Sequence, residues 1–224
     1  INPKQFIDAH VHVVGIGHGD SGCSVHPDML DRWGHPLQWF RFRVYAHASG
    51  VENLNDIDTN YLQTLKARTL HLPMGGRSLL MAFDQVFDED GRPQPEHTVF
   101  YVPNQHMFNA VASAPHFLPC ASVHPYRKDA TTALHEAADR GAVAVKWLPN
   151  AMRIDPANPL CDDAYRVMQA RGLTLISHGG EEQAVPSPET QELGNPLRLR
   201  RALDAGVNVV VAHCASHGMS LDLD

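Results

Sequence analysis

The 224-residue sequence has no long apolar run, no excess of positive charge and no paired-cysteine pattern, and each absence removes a class of function. Its longest hydrophobic stretches, such as residues 207–214, fall far short of a membrane span. Lys and Arg number 18 against 25 Asp and Glu, a net charge of −7, which argues against general affinity for nucleic acid or an anionic membrane. The four cysteines, Cys23, Cys120, Cys161 and Cys214, form no Cys-x-x-Cys pair. That scatter fits a reduced, cytoplasmic protein better than a disulfide framework or a zinc knuckle. No signal-peptide pattern precedes the first predicted strand. With 43% hydrophobic and 19% charged residues, residues 1–224 can bury a sizeable core as one domain.

Against these scarcities stand fifteen histidines. Two of them lie in Phe6-Ile7-Asp8-Ala9-His10-Val11-His12-Val13-Val14, which reads as a strand. The two-residue period puts Ile7, Ala9, Val11 and Val13 on one side and Asp8, His10 and His12 on the other. Two imidazoles on successive same-side positions can share one metal ion, and neutral imidazole suits zinc. A half-exposed antiparallel strand with a polar face explains these nine residues equally well, so the decision rests on the rest of the chain.

Residues 15–56 form a long irregular stretch, of a length that usually marks a lid or binding loop. Within it a helix is predicted over residues 36–48, with Leu37, Phe40, Val44 and Ala48 as its packed face. The interleaved Trp33, Trp39, Phe40, Arg41, Phe42 and Arg43 superficially resemble a nucleic-acid or membrane patch. In so acidic a chain, a packed loop helix with solvated or substrate-facing arginines is the better reading. A second helix, capped by Asp58 or Thr59, runs to about Leu70, and residues 79–83 are the second strand. Residues 104–112 are helical and residues 117–123 form a third strand ending at His124-Pro125.

From there the rhythm is regular. Asp129 caps a helix through Arg140, and Gly141 stops it before the strand of residues 142–147, which carries Lys146. A helix over residues 162–171 closes at Gly172, and residues 173–178 are a strand ending in His178. After an acidic, Pro-containing loop a helix follows over residues 196–205. The sixth strand, residues 207–212, ends at His213. Apolar strands alternating with amphipathic helices predict an α/β fold with a parallel sheet. A doubly wound sheet would also accommodate six units, but it gathers its site at one switch point. Here His10, His12, His124, Lys146, His178 and His213 all stand at or near C-terminal strand ends, the mark of a (β/α)8 TIM-barrel type of site. About six of eight βα units are legible. His124, before Pro125, reads as structural or as a pocket wall. Cys214 beside His213 is a weak candidate nucleophile, since neighbours on a strand face opposite ways.

The Asp8-x-His10-x-His12 strand, Lys146 in Val-Lys-Trp-Leu-Pro, His178 in Ile-Ser-His-Gly-Gly and His213 in Val-Ala-His-Cys, in that order, resemble the amidohydrolase superfamily of metal-dependent hydrolases. Residues 141–180 are most similar to its amidohydrolase-related (amidohydrolase 2) branch, which also contains decarboxylases similar to amino-carboxymuconate-semialdehyde decarboxylase. The resemblance implies that His10 and His12 bind the more buried metal and that His178 binds the same ion or its partner. Lys146 then takes the place of a carboxylated bridging lysine. His213 is implied as a second-metal ligand or, in mononuclear members, as a catalytic acid/base touching substrate. One or two divalent ions, expected to be zinc, would activate water against a C–N or C–O bond of a small-molecule amide, lactone or ester. Non-oxidative decarboxylation at a single zinc is the alternative.

The family's last ligand is an aspartate ending the eighth strand. Asp222 and Asp224 follow His213 too soon to supply it. An inactive metal- or ligand-binding barrel fragment is therefore a third expectation. On charge alone, Arg41, Arg43, Arg77 and Arg153 are candidates to hold a substrate carboxylate, in a pocket roofed by residues 15–56 and by the loops after Lys146 and His178. The long apolar loops make a homodimer conceivable.

Overall fold

The computed structural model describes residues 6–51, 53–70, 72, 76–182, 185 and 187–215. The chain forms two compact units, residues 1–82 with 100–119, and residues 83–99 with 120–224.

The first unit opens with β1 (Ile7–His12), followed by the short β2 (Ser24–Val25), α1 (Pro36–Ala48), α2 (Ile57–Thr69), β3 (Arg77–Met81), β4 (Phe100–Tyr101), α3 (Asn104–Ala112) and the start of β5 (Phe117–Ala121). β1 and β3 are parallel, with Ile7 opposite Arg77 and His12 opposite Met81. The Val13 N–H continues the ladder to Met81 O at 3.1 Å, and the Ser78 N–H reaches His116 O at 2.9 Å, where β5 begins. β2 and β4 pair antiparallel. Two residues apiece are too few to show an alternation, so sequence patterning missed them.

Three local expectations are corrected here. The apolar side of β1 is covered only in its second half: Ile7 and Ala9 are exposed, Val11 is half-buried and Val13 buried, while Asp8, His10 and His12 are half-buried. Among the described residues β1 pairs with β3 alone, and its register shifts between Asp8 and Val11, so it packs as an edge strand rather than a central one. Helix α1 buries Phe42 and Ala46, whereas Leu37 and Phe40 are 58% and 59% exposed. Apolar residues surround this helix, so periodicity could not choose a face. Its arginine–aromatic pattern has a structural role: Arg32 lies 5.0 Å from the Trp33 ring and 5.3 Å from Trp39, and Arg43 stacks on Trp39 at 5.2 Å. Thirdly, Asp56 caps α2 by accepting from the Thr59 N–H, at 3.4 Å. Asp58 is buried instead and ties down the preceding loop, accepting from Ile16 N (2.7 Å), Gly17 N (3.2 Å) and Ser21 Oγ (2.5 Å).

The second unit holds the end of β5, then α4 (Ala130–Asp139), β6 (Ala144–Trp147), α5 (Pro149–Met152), α6 (Asp162–Arg171), β7 (Thr174–His178), α7 (Arg200–Asp204) and β8 (Val209–Ala212). The strands are parallel and in sequence order: Cys120 stands opposite Ala144, Lys146 opposite Ile176, and His178 opposite Ala212. Helices α4 and α6 pack together, burying Leu134 and Ala137 on one and Ala164, Val167 and Met168 on the other. Gly172 ends α6 at φ 64°, the left-handed turn that a side chain would strain. Asp129 precedes α4 without capping it, because its carboxylate pairs with Arg127 at 2.7 Å. The last predicted helix splits into a tight turn, Pro196–Leu199, and α7, with Asn195 capping the turn through Leu197 N–H at 3.0 Å. β8 is paired only with β7 among the described residues, and Val210 is 48% exposed.

Parallel strands in sequence order with helices in the crossovers are the α/β repeat of the (β/α)-barrel type, and the described residues hold six such strands with five helical crossovers. Among the described residues no helix is long and apolar enough to cross a membrane.

Candidate metal centre

In the first unit β1 brings His10 and His12 together. Their Nε2 atoms lie 3.2 Å apart and their ring centroids 5.1 Å apart. Two nitrogens bound at about 2.0–2.1 Å to one tetrahedral zinc would be separated by roughly 3.3–3.4 Å, so this pair already has the spacing of a chelate. Tyr61 fixes the end of the strand, its hydroxyl donating to His12 O at 2.5 Å.

In the second unit Lys146 sits in the middle of a strand buried at every position. It is 1% exposed, and its Nζ has no hydrogen-bond partner. Burial drives its pKa down to about 8, opposed by the nearby Cys120 and Glu182. Its backbone is held in place, since Ser122 Oγ donates to Lys146 O at 2.9 Å and Trp147 Nε1 donates to Val123 O at 2.9 Å. The register pairs Lys146 with Ile176, so the two-residue period places His178 further along the same face of the sheet.

His178 is buried, and burial lowers its pKa against the opposing pull of Glu182. Its Nε2 lies 3.3 Å from Glu181 O, which leaves Nδ1 without a hydrogen bond and 3.5 Å from Glu182 Oε2. His213 follows β8 directly. Strict alternation would turn it away from His178, whose partner is Ala212. The backbone instead breaks the strand with φ 61° at His213 and 54° at Cys214, and the His213 ring stands 4.9 Å from that of His178. Two successive non-glycine residues in the left-handed region carry strain that is kept only where the fold fixes it. Cys214 is thereby off the strand and exposed, so the face argument used for it from sequence does not apply.

The residue that sequence reading missed is Glu182, with the apparatus that holds it. Gln191 grips both backbone groups of Glu182: Glu182 N donates to Gln191 Oε1 at 2.7 Å, and Gln191 Nε2 donates to Glu182 O at 2.9 Å. Val185 N–H occupies Glu182 Oε1 at 2.9 Å. The fully buried Asn150 anchors the clamp, its Nδ2 donating to Gln191 O at 2.9 Å and to Gly180 O at 3.2 Å. Gly194 must be glycine here, because a Cβ would come within 2.2 Å of Gly180 O. From sequence this loop was simply acidic, and no spacing singled out Glu182.

His124 is structural. It is fully buried, Nε2 donates to Met152 O at 2.9 Å, Nδ1 accepts from Tyr126 N at 3.2 Å, and burial pushes its pKa down to about 4. Of the four candidate arginines, Arg77 opens β3 and so lies at the strand's N-terminal end. Arg41 and Arg43 are exposed on α1. Arg153 has φ 55° and pairs with Glu189 at 3.2 Å. It lines two clefts of the second unit, one of about 400 Å³ with Phe87, His97 and Tyr126, the other of about 250 Å³ with Asn150 and Thr190. Both clefts draw on the segments after β6 and β7, and none of His10, His12, Lys146, His178 or His213 is among their described lining residues.

Among the described residues no three His, Cys, Asp or Glu side chains are grouped so as to hold a metal unaided. A divalent ion held in the second unit would need a further donor beside His178, and Lys146, on the same strand face, is the candidate as a neutral amine or as its carbamate.

No family model matches the chain, and no curated protein matches it. Among solved structures it is similar to two provisionally assigned as 2-pyrone-4,6-dicarboxylic acid hydrolases. The one from Pseudomonas putida is 17% identical, covering 93% of this chain and 57% of that one, with a TM-score of 0.49. The other, from Acinetobacter baumannii with citric acid bound, is 13% identical, covering 78% of this chain and 49% of that one, with a TM-score of 0.45. The chain thus spans about half the length of these structures.

Proposed function

We propose that the chain carries the site of a metal-dependent hydrolase of the amidohydrolase type, acting on a small-molecule amide, lactone or ester. The observation that supports it most is the buried, unpartnered Lys146 amine on the strand face shared with His178. A fully buried lysine is costly unless it is paired or functional, and here burial makes the neutral amine accessible near neutral pH. A neutral amine can add to CO2, forming the N–C bond of a carbamate with loss of one proton, which turns a neutral group into an anionic ligand. His10 and His12 are the imidazole pair of the reading, and His178 and His213 the strand-end histidines.

A divalent ion, expected to be zinc, would when bound supply a water of lowered pKa and polarise the carbonyl under attack. The chain's own residues supply the rest. His213, whose ring stands 4.9 Å from that of His178, would serve as the residue that accepts a proton and returns it to the leaving group. Arg153, which lines the cleft after β6 and pairs with Glu189, would be the residue that holds an anionic substrate. The full barrel's substrate range belongs to the same proposal.

The test is a panel of amides, lactones and esters assayed after zinc loading, with and without a chelator. Turnover that the chelator abolishes and zinc restores is the expected result. Release of CO2 without hydrolysis would favour the decarboxylase instead. Chelator-insensitive turnover, or none from zinc-loaded protein, would overturn the reading.

A further inference from the structure

Resting on that reading, we infer that Glu182 is itself a metal ligand, completing a His178–Glu182–Lys146 donor set in the second unit. Glu182 Oε2 lies 3.5 Å from His178 Nδ1. Oxygen and nitrogen bound at about 2.0–2.2 Å to one tetrahedral ion stand roughly 3.3–3.5 Å apart, so the pair has chelate spacing rather than hydrogen-bond spacing.

Two buried nitrogens that interact electrostatically with Glu182 point the same way. His178 Nδ1 is buried without a hydrogen bond although a carboxylate faces it, and Lys146 Nζ is buried without any partner. Two buried nitrogens without a hydrogen bond are costly unless something binds them. Glu182 also interacts electrostatically with both Lys146 and His178. Its other oxygen is occupied by Val185 N–H, and Gln191 holds its backbone from both sides. The carboxylate is thus pre-oriented, as a ligand must be and a surface charge need not be. A histidine nitrogen and a carboxylate oxygen are donors of catalytic zinc, and Lys146, as neutral amine or carbamate, would be the third.

Cobalt(II) binding to the full chain tests this without reference to turnover. Affinity is read by competition with a chromogenic chelator, and ligand geometry by the visible absorption of the bound ion. Glu182→Gln keeps the shape and removes the charge. It is expected to weaken cobalt at least 100-fold and to change the spectrum, while Glu181→Gln, on the exposed neighbour, changes neither. Glu182→Asp, retaining a shortened carboxylate, is expected to lose less than Glu182→Gln. Melting curves of both variants separate loss of ligand from loss of fold. A loss below 100-fold with an unchanged spectrum, or equal losses for Gln and Asp, would overturn the assignment and make Glu182 a positioning residue, whose removal typically costs about 10–100-fold. Absence of cobalt binding by the unsubstituted chain would instead overturn the metal-dependent reading itself.

Discussion

Replacing Lys146 by methionine should stabilise the metal-free fold while removing its chemistry. The lysine is 1% exposed and its pKa falls from 10.5 to about 8, mainly through burial. Between these values the unfolded chain holds a proton that the folded chain does not, so stability rises with pH through this window and is lowest below about 8. At about 1.4 kcal/mol per pKa unit, the buried ammonium costs the fold on the order of 3 kcal/mol at neutral pH. Methionine has similar length, no charge and no unsatisfied donor. Allowing for imperfect packing, Lys146→Met is expected to gain about 2 kcal/mol, or roughly 4–8 °C in Tm for a chain of this size. The assay is denaturant and thermal unfolding at pH 7 and pH 10, in metal-free, CO2-free buffer. The difference between variant and parent should shrink at pH 10, where the parent's lysine is largely neutral in the fold. A destabilised methionine variant, or a gain independent of pH, would refute the account of a lysine kept in place against the interest of the fold.

Other consequences are open to direct measurement. His124 is neutral in the fold with its pKa near 4 against an ordinary 6.5. Below pH 6.5 the unfolded chain therefore binds the extra proton, and acid should remove up to about 3 kcal/mol between pH 6.5 and 4; His124→Gln should flatten this part of the stability–pH curve. Arg127→Met leaves the buried Asp84 without its 3.0 Å ion-pair partner and should cost about 3–5 kcal/mol in chemical denaturation. Adding Asp84→Asn should recover part of that loss. Gly194→Ala drives a methyl into Gly180 O and should cost roughly 1–3 kcal/mol, with proteolysis of the loop after β7 increasing first.

The sequence was most legible where burial is greatest. Strands β5, β6 and β7 are almost continuously apolar, so their positions, and those of Lys146 and His178 within them, follow from composition and from stop signals such as Gly172. His213 was found as a strand-end residue, but its orientation was not, because the left-handed backbone that turns it toward His178 has no signature in Ala-His-Cys-Ala. Helix α1 was placed to the residue and its face misassigned, since Phe42 competes with Leu37, Phe40 and Val44 for burial. Asp58 and Asp129 both look like helix caps locally, but Asp58 is taken by the distant loop at Ile16 and Asp129 by its near neighbour Arg127. Glu182 was invisible because its position depends on Gln191, nine residues downstream, and on Asn150 in α5, and no local pattern encodes such a clamp.

The most direct test of the central claim is the metal content of the purified chain by elemental analysis after zinc loading, beside His10→Ala and His178→Ala. The account predicts at least one equivalent of zinc, reduced by either substitution, with two equivalents marking a binuclear centre and a carboxylated Lys146. A chain that holds no zinc, or holds it equally well without His10 and without His178, would contradict the account.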